Sequence, residues 1–128
     1  MPLVRIDLLE GKPDTYLATV GDVIYEAMRN TLNVPQDDRF QIFNAHAPGT
    51  LSIDRTYLGI ERSDDCVIIQ VTLNQGRSTE MKQAFYRAVA DGLHAHLGLR
   101  TEDVFISLVE VAKENWSFGN GEAQYADK

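Results

Sequence analysis

With 128 residues, 44% of them hydrophobic and 24% charged, the chain is long enough to bury one core and too short for two independent domains. Its 12 cationic side chains face 19 anionic ones, a formal net charge of −7, which disfavours nucleic acid and acidic membrane surfaces as partners. No apolar run approaches the length of a membrane span, and the lone Cys66 rules out an intrachain disulfide or a Cys-rich metal site and fits a reducing cytoplasm.

The start, Met1-Pro2-Leu3-Val4-Arg5-Ile6-Asp7, lacks the charged segment and long apolar stretch of a signal peptide. Leu3 to Leu8 alternates apolar and polar residues as a half-buried strand does. A turn at Gly11 precedes a helix that begins near Asp14, with Leu17, Val20, Ile24, Ala27 and Met28 recurring at three- and four-residue spacing. Asn30 to Pro35 ends this helix, and Arg39-Phe40-Gln41-Ile42-Phe43 reads as the next strand. The stretch Asn44 to Asp65, with Pro48-Gly49 and several charges, reads as a loop carrying a short hairpin. Cys66-Val67-Ile68-Ile69 makes Cys66 a buried structural thiol, in a strand that runs from Val67 to Leu73. Ser78 is placed to cap a second helix whose apolar positions are Met81, Phe85, Val89 and Leu93. Val104 to Val109 is the closing strand, and the tail from Asn115 is aromatic and glycine-rich rather than helical.

The chain is written twice, 65 positions apart. Gly11 falls on Gly76, Lys12 on Arg77, Leu32 on Leu97, Val34 on Leu99, Asp37 on Glu102, Asp38 on Asp103 and Phe40 on Phe105. Repeats fix architecture, and here each copy reads β-α-β. The expectation is an α/β (α+β) domain over 1–128 built from two β-α-β units, about 1–45 and 66–110. A helical crossover joins parallel strands right-handedly, so the units combine into a four-stranded, mainly parallel or mixed sheet with both helices on one face. The bare opposite face calls for self-association.

A doubled β-α-β chain that begins Met-Pro and continues with an alternating strand resembles the tautomerase superfamily. Within it, the chain is similar to the malonate semialdehyde decarboxylases. The likeness runs through Pro2 to Leu8, Asp38-Arg39-Phe40-Gln41 with Ala45-His46, Gly76-Arg77 leading into Lys82, Trp116-Ser117-Phe118-Gly119 and Ala123-Gln124-Tyr125. It implies a homotrimer of β-α-β-β-α-β subunits, independent of cofactors, that acts on a small carboxylate-bearing carbonyl compound. Met1 would be removed, and Pro2 would match the catalytic proline, a base in tautomerases and a general acid in the decarboxylases. Asp38 would match the aspartate that handles water, and Arg77 the arginine that holds the substrate carboxylate. Some family decarboxylases carry a second arginine where this chain has Gln75.

Each of these residues also has a plainer reading. An exposed α-amino group titrates near ~7.7–8, and an apolar pocket or a nearby arginine lowers it, so a free Pro2 amine suits proton transfer; equally, Pro2 is simply the residue after an initiator. Arg77, at a helix start, suits a bidentate grip on a carboxylate; Lys12 at the matching place suggests a turn motif instead. Asp38 is either a catalytic acid or a loop acid paired with Arg39, with Asp103 as its counterpart. Trp116 and Phe118 wall a substrate pocket or seal a subunit interface, and either role keeps them out of solvent. His94 and His96, two apart on a helix, point to different faces, and with His46 they complete no metal site; solvated or capping roles are expected.

Overall fold

The computed structural model describes residues 2–126. Its elements follow the repeat: β1 (Leu3–Leu9), α1 (Asp14–Leu32), β2 (Phe40–His46), β3 (Val67–Asn74), α2 (Thr79–Leu97) and β4 (Val104–Val111). The two helices begin 65 positions apart (79 − 14) and end 65 apart (97 − 32). Their ends are made by related chemistry. Each helix is entered from a glycine at positive φ, Gly11 at 113° and Gly76 at 120°, values that a side chain would strain. Each leaves through a left-handed residue, Asn33 or Gly98, as helix C-termini commonly do. Ser78 caps α2 as its position suggested, its hydroxyl accepting from the Met81 N–H. Pro13 at the equivalent site offers no side-chain cap.

The sheet order is β2-β1-β3-β4. β1 runs parallel to β2, and β3 parallel to β4, while the central pair β1 and β3 is antiparallel. The sheet is therefore mixed, each β-α-β unit supplying one parallel half. Val4, Ile6 and Leu8 of β1 share a face with Val67, Ile69, Val71 and Leu73 of β3, and all are buried beneath Ile24, Met28, Phe85, Val89 and Leu93 of the helices. Each such fully buried aliphatic or aromatic side chain contributes about 1.5–3 kcal/mol of burial free energy.

The other face carries no helix. It mixes Arg5, Asp7, Asn44, Gln70 and Ser107 with half-buried Leu3, Leu9 and Ile68 on the central strands and exposed Phe40, Ile42, Phe105 and Val109 on the two outer ones. No helix among the described residues is long and apolar enough to cross a membrane.

Three local expectations need correction. The stretch 44–65 forms no hairpin: β2 continues to His46, and a 3-10 turn at Tyr57–Gly59 comes after it. Arg62 holds this loop by donating to the carbonyls of Asp54, Tyr57 and Ile60, and Arg100 donates to that of Glu61, so side chains satisfy the main chain that a hairpin would have paired. His46 is not simply solvated; its Nε2 lies 2.7 Å from Asp7 Oδ1 on the open face. Arg39 pairs with Asp22 at 2.8 Å, across the β2–α1 contact, rather than with Asp38.

Candidate active site

Strand direction decides which residues can meet. β1 and β2 start, and β3 and β4 finish, at the same end of the sheet. That end consequently gathers Pro2, which precedes β1; Asp38, which precedes β2; Asn74, Gln75 and Arg77, which close β3 and lead into α2; and the tail after β4. All six residues singled out from sequence, Pro2, Asp38, Gln75, Arg77, Trp116 and Phe118, belong to it.

Pro2 is buried. The next residue, Leu3, pairs with Phe40 on one side and Thr72 on the other, so Pro2 sits at the head of a central strand. The removal of Met1 lies outside the described residues.

The tail passes over this point. The Trp116 indole N–H donates to the Asn74 side-chain oxygen at 2.7 Å, which fixes the tail to β3. The Phe118 ring stacks on Trp116 with centroids 5.3 Å apart and reaches Phe40 of β2 at 6.4 Å. Since β1 lies between β3 and β2, an aromatic strap spans the strand that Pro2 begins. Gln124 fastens its far side, accepting from the Phe118 N–H and donating to the Gly119 carbonyl, and Tyr125 meets Phe118 edge-on at 5.0 Å. Trp116 is half-buried, but Phe118 keeps 36% of its surface exposed; the expectation that both leave solvent is corrected to this extent, because in one chain the outer side of the strap is bare.

Beside the strap is a cleft of about 320 Å³ lined by Pro35, Asp38, Phe40, Phe118 and Tyr125. Asp38 is half-buried there, held in a turn in which its N–H donates to the Pro35 carbonyl at 3.4 Å. A larger hollow of about 690 Å³ lies between α2 and β4. None of the six residues reaches it, and its charges are spent locally, Arg87 on Asp91 and Glu102 on Arg100. Of the six, Asp38 and Phe118 line the smaller cleft.

Arg77 is half-buried and strongly held. Its Nε and Nη2 donate to the Leu32 carbonyl at the end of α1, at 3.2 and 2.9 Å, and Nη1 donates to the Asn74 carbonyl at 3.0 Å. It caps the C-terminal carbonyl of α1, where a cation is favoured. Burial pushes the guanidinium below its usual value, opposed by the charge of Glu110, yet an arginine stays protonated. A guanidinium has five N–H donors; three make these bonds, which leaves two whose direction the bonds fix. Next to it, the Lys82 ammonium meets Glu110 at 2.8 Å and holds that carboxyl below its usual range. Gln75 is exposed, its N–H donating to the Val111 carbonyl.

Asn74, Phe40 and Tyr125 were not singled out in the sequence. Tyr125 lies within the Ala-Gln-Tyr motif of the tail. Asn74 could have been found through the repeat, which sets it against Leu9. Among the described residues, no group of three His, Cys, Asp or Glu side chains is placed to hold a metal ion.

The comparisons with known proteins agree with this architecture. Two family models, each described as a tautomerase enzyme, match residues 38–119 and residues 2–59. The chain is 43% identical over 124 residues to the "Probable tautomerase YusQ" of Bacillus subtilis (strain 168), covering 97% of this chain and 98% of that one. It is 39% identical to the "Probable tautomerase YrdN" of the same organism, covering 98% and 96%. Among solved structures, malonate semialdehyde decarboxylase, described with decarboxylase and hydratase activities, superposes with a TM-score of 0.91 at 34% identity, covering 98% of this chain and 96% of that one. The FG41 malonate semialdehyde decarboxylase inhibited by 3-bromopropiolate gives 0.90 at 38%, covering 98% and 95%. The chain belongs to the tautomerase family.

Proposed function

We propose that this protein is a cofactor-independent decarboxylase of small 3-oxo acids of the malonate semialdehyde type, working through the amino group of Pro2 after Met1 is removed. The observation that supports this most is the aromatic strap from β3 to β2 across the head of β1, with Arg77 at the same end of the sheet. The pocket excludes water from the Pro2 amine, which disfavours its charged form. Arg77 offers its two remaining N–H groups to the substrate carboxylate and steadies the charge that develops on the enolate. Trp116 and Phe118 face the body of the substrate, Gln75 lies at its rim, and Asp38 positions water.

In decarboxylation the bond between the carboxylate carbon and its neighbour breaks and carbon dioxide leaves. The electron pair passes toward the carbonyl as an enolate, and the Pro2 ammonium supplies the proton that completes the aldehyde. An enol or enolate is common to keto–enol tautomerisation and to hydration of an acetylenic acid, so the same pocket supports both as side activities. The exposed Phe40, Ile42, Phe105 and Val109 on the helix-free face fit a homotrimer that buries this face, and a reducing cytoplasm suits the buried thiol of Cys66.

A second reading, a tautomerase of phenylpyruvate-type 2-oxo acids, is favoured by Gln75, which leaves Arg77 without a second arginine two positions away. One set of assays separates the two. The processed protein is offered malonate semialdehyde, a phenylpyruvate-type enol and an acetylenic acid in parallel, alongside a form with one residue left before Pro2. The proposal expects decarboxylation to dominate and the extended form to be inactive, since an amide nitrogen has no basic lone pair. Dominant ketonisation would favour the second reading. Absence of turnover on all three would favour a non-catalytic trimeric binding module instead, since fold alone does not guarantee chemistry.

A further inference from the structure

The described residues include two buried side chains that are polar or charged, Asn74 and Asp103. Asn74 is the less expected, because the repeat places Leu9 at the matching position of β1. The fold therefore accepts an apolar residue at this strand end, and a buried amide is costly unless it is hydrogen-bonded. Its side-chain oxygen receives the Trp116 indole N–H at 2.7 Å. Its main-chain carbonyl receives Arg77 Nη1 at 3.0 Å. One residue thus ties down both the aromatic strap and the cationic side chain, the first through its side chain and the second through its backbone.

We propose that Asn74 is a positioning residue of the active site, whose amide oxygen sets the Trp116–Phe118 stack over Pro2 while leaving the Arg77 anchor independent of its side chain. The inference rests on the proposed function, which makes that stack the apolar wall of the substrate pocket. Without the acceptor, the indole N–H would be left unpaired beneath the stack, and an unpaired buried donor is costly. The ring then turns outward to reach water, and the strap loosens from the β3 side. Substrate affinity falls, because the wall is lost. Turnover of bound substrate persists, because Arg77 keeps its carbonyl partner.

Trp116 is the single tryptophan of the chain, so its emission reports on the strap without any substrate. Asn74→Leu, which installs the residue type of the other copy, should keep the circular dichroism of the parent, shift tryptophan emission to longer wavelength and increase quenching by acrylamide. KM should rise about threefold to tenfold, the factor expected for one hydrogen bond, with kcat changed less than KM. A folded Asn74→Leu protein with parental emission, quenching and KM would overturn the assignment. Should Asn74→Leu not fold, Trp116→Phe keeps a stacking ring without the N–H and must raise KM by a similar factor; an unchanged KM in that variant would equally overturn it. The fluorescence arm stands even if none of the assayed substrates turns over, which separates failure of this inference from failure of the proposed function.

Discussion

The two ends of the sheet are built by the same repeat and are put to different use. At the end where β1 and β2 finish and β3 and β4 begin, Asp103 is fully buried, its carboxylate accepting from the Ser63 N–H and hydroxyl, each at 2.6 Å. At the opposite end its counterpart Asp38 is half-buried on a cleft. Both aspartates close the same turn, donating their N–H to the carbonyl three residues back, Pro35 or Arg100. The shared turn is structural; the surroundings of the carboxylates differ. Lys12 and Arg77 diverge in the same way. Lys12 reaches out to Asp65 at 2.7 Å on the surface, whereas Arg77 reaches in to main-chain carbonyls. One end of the sheet is closed with ion pairs and hydrogen bonds contributed by both copies, and the other keeps a cleft beside the tail. Duplication supplies two equivalent ends, and the tail packs against one of them.

The comparison breaks most visibly at the basic pair. Arg77→Ala should lower kcat/KM for a carboxylate substrate by about 30- to 1000-fold, equivalent to roughly 2–4 kcal/mol for a charge-assisted bidentate pair in a dry site. It should also lower stability, since the carbonyls of Leu32 and Asn74 lose a charged donor worth about 1.5–3 kcal/mol. Chemical denaturation and steady-state kinetics on one variant measure both. A loss of stability with unchanged kinetics would reduce Arg77 to a helix cap.

A smaller effect separates the aspartates. Asp103→Ala takes the acceptor from the half-buried Ser63 N–H and hydroxyl and should cost about 1–3 kcal/mol while leaving turnover by the folded protein intact. Asp38→Asn should do the reverse, slowing turnover with a stability change smaller than that of Asp103→Ala. If Asp38→Asn destabilised the fold as much as Asp103→Ala, the two ends would share one structural device and the contrast would fail.

The sequence made one part of this contrast readable. Apolar spacing in the helices and alternation in β1 and β3 announce the β-α-β repeat, because both periodicities are local and the core enforces them. The crossover rule then gives the parallel pairs within each unit; the antiparallel join of β1 to β3, which brings Arg77 to the end that holds Pro2 and Asp38, is seen in the structure. Long-range satisfaction of polar groups is beyond the reach of local pattern. β3 reads as ending at Leu73 because Asn74 breaks the apolar run, whereas pairing with Val111 of β4 extends the strand to Asn74 and the tail, 42 positions further on, supplies a donor to its side chain. The loop 44–65 reads as a hairpin because its turn residues are real, while the arginines that hold its carbonyls lie within it and beyond it. Cys66 was legible, since it opens an apolar strand, and it is buried as expected.

The weakest expected effects lie at the closed end. Lys12→Ala removes a partly exposed ion pair and should change stability by less than about 1 kcal/mol, with no change in kinetics. Burial raises the Cys66 thiol above its usual value, so the thiolate is scarce at neutral pH and alkylation of the native protein should be far slower than that of the unfolded chain. Rapid alkylation under native conditions would show that this end opens.

The most direct test of the central claim tracks the nitrogen of Pro2 itself. In processed protein labelled with 15N-proline, its resonance should titrate with one midpoint at or below the ordinary α-amino range of about 7.7–8, because an apolar pocket and Arg77 both disfavour the ammonium. With Pro2 as acid, decarboxylation should be full below that midpoint and fade as pH rises through it. With Pro2 as base, tautomerisation should be full above it and fade as pH falls. A nitrogen that does not titrate between about pH 5 and 10, where any free α-amino group would, in a protein that still turns over substrate, would contradict the account.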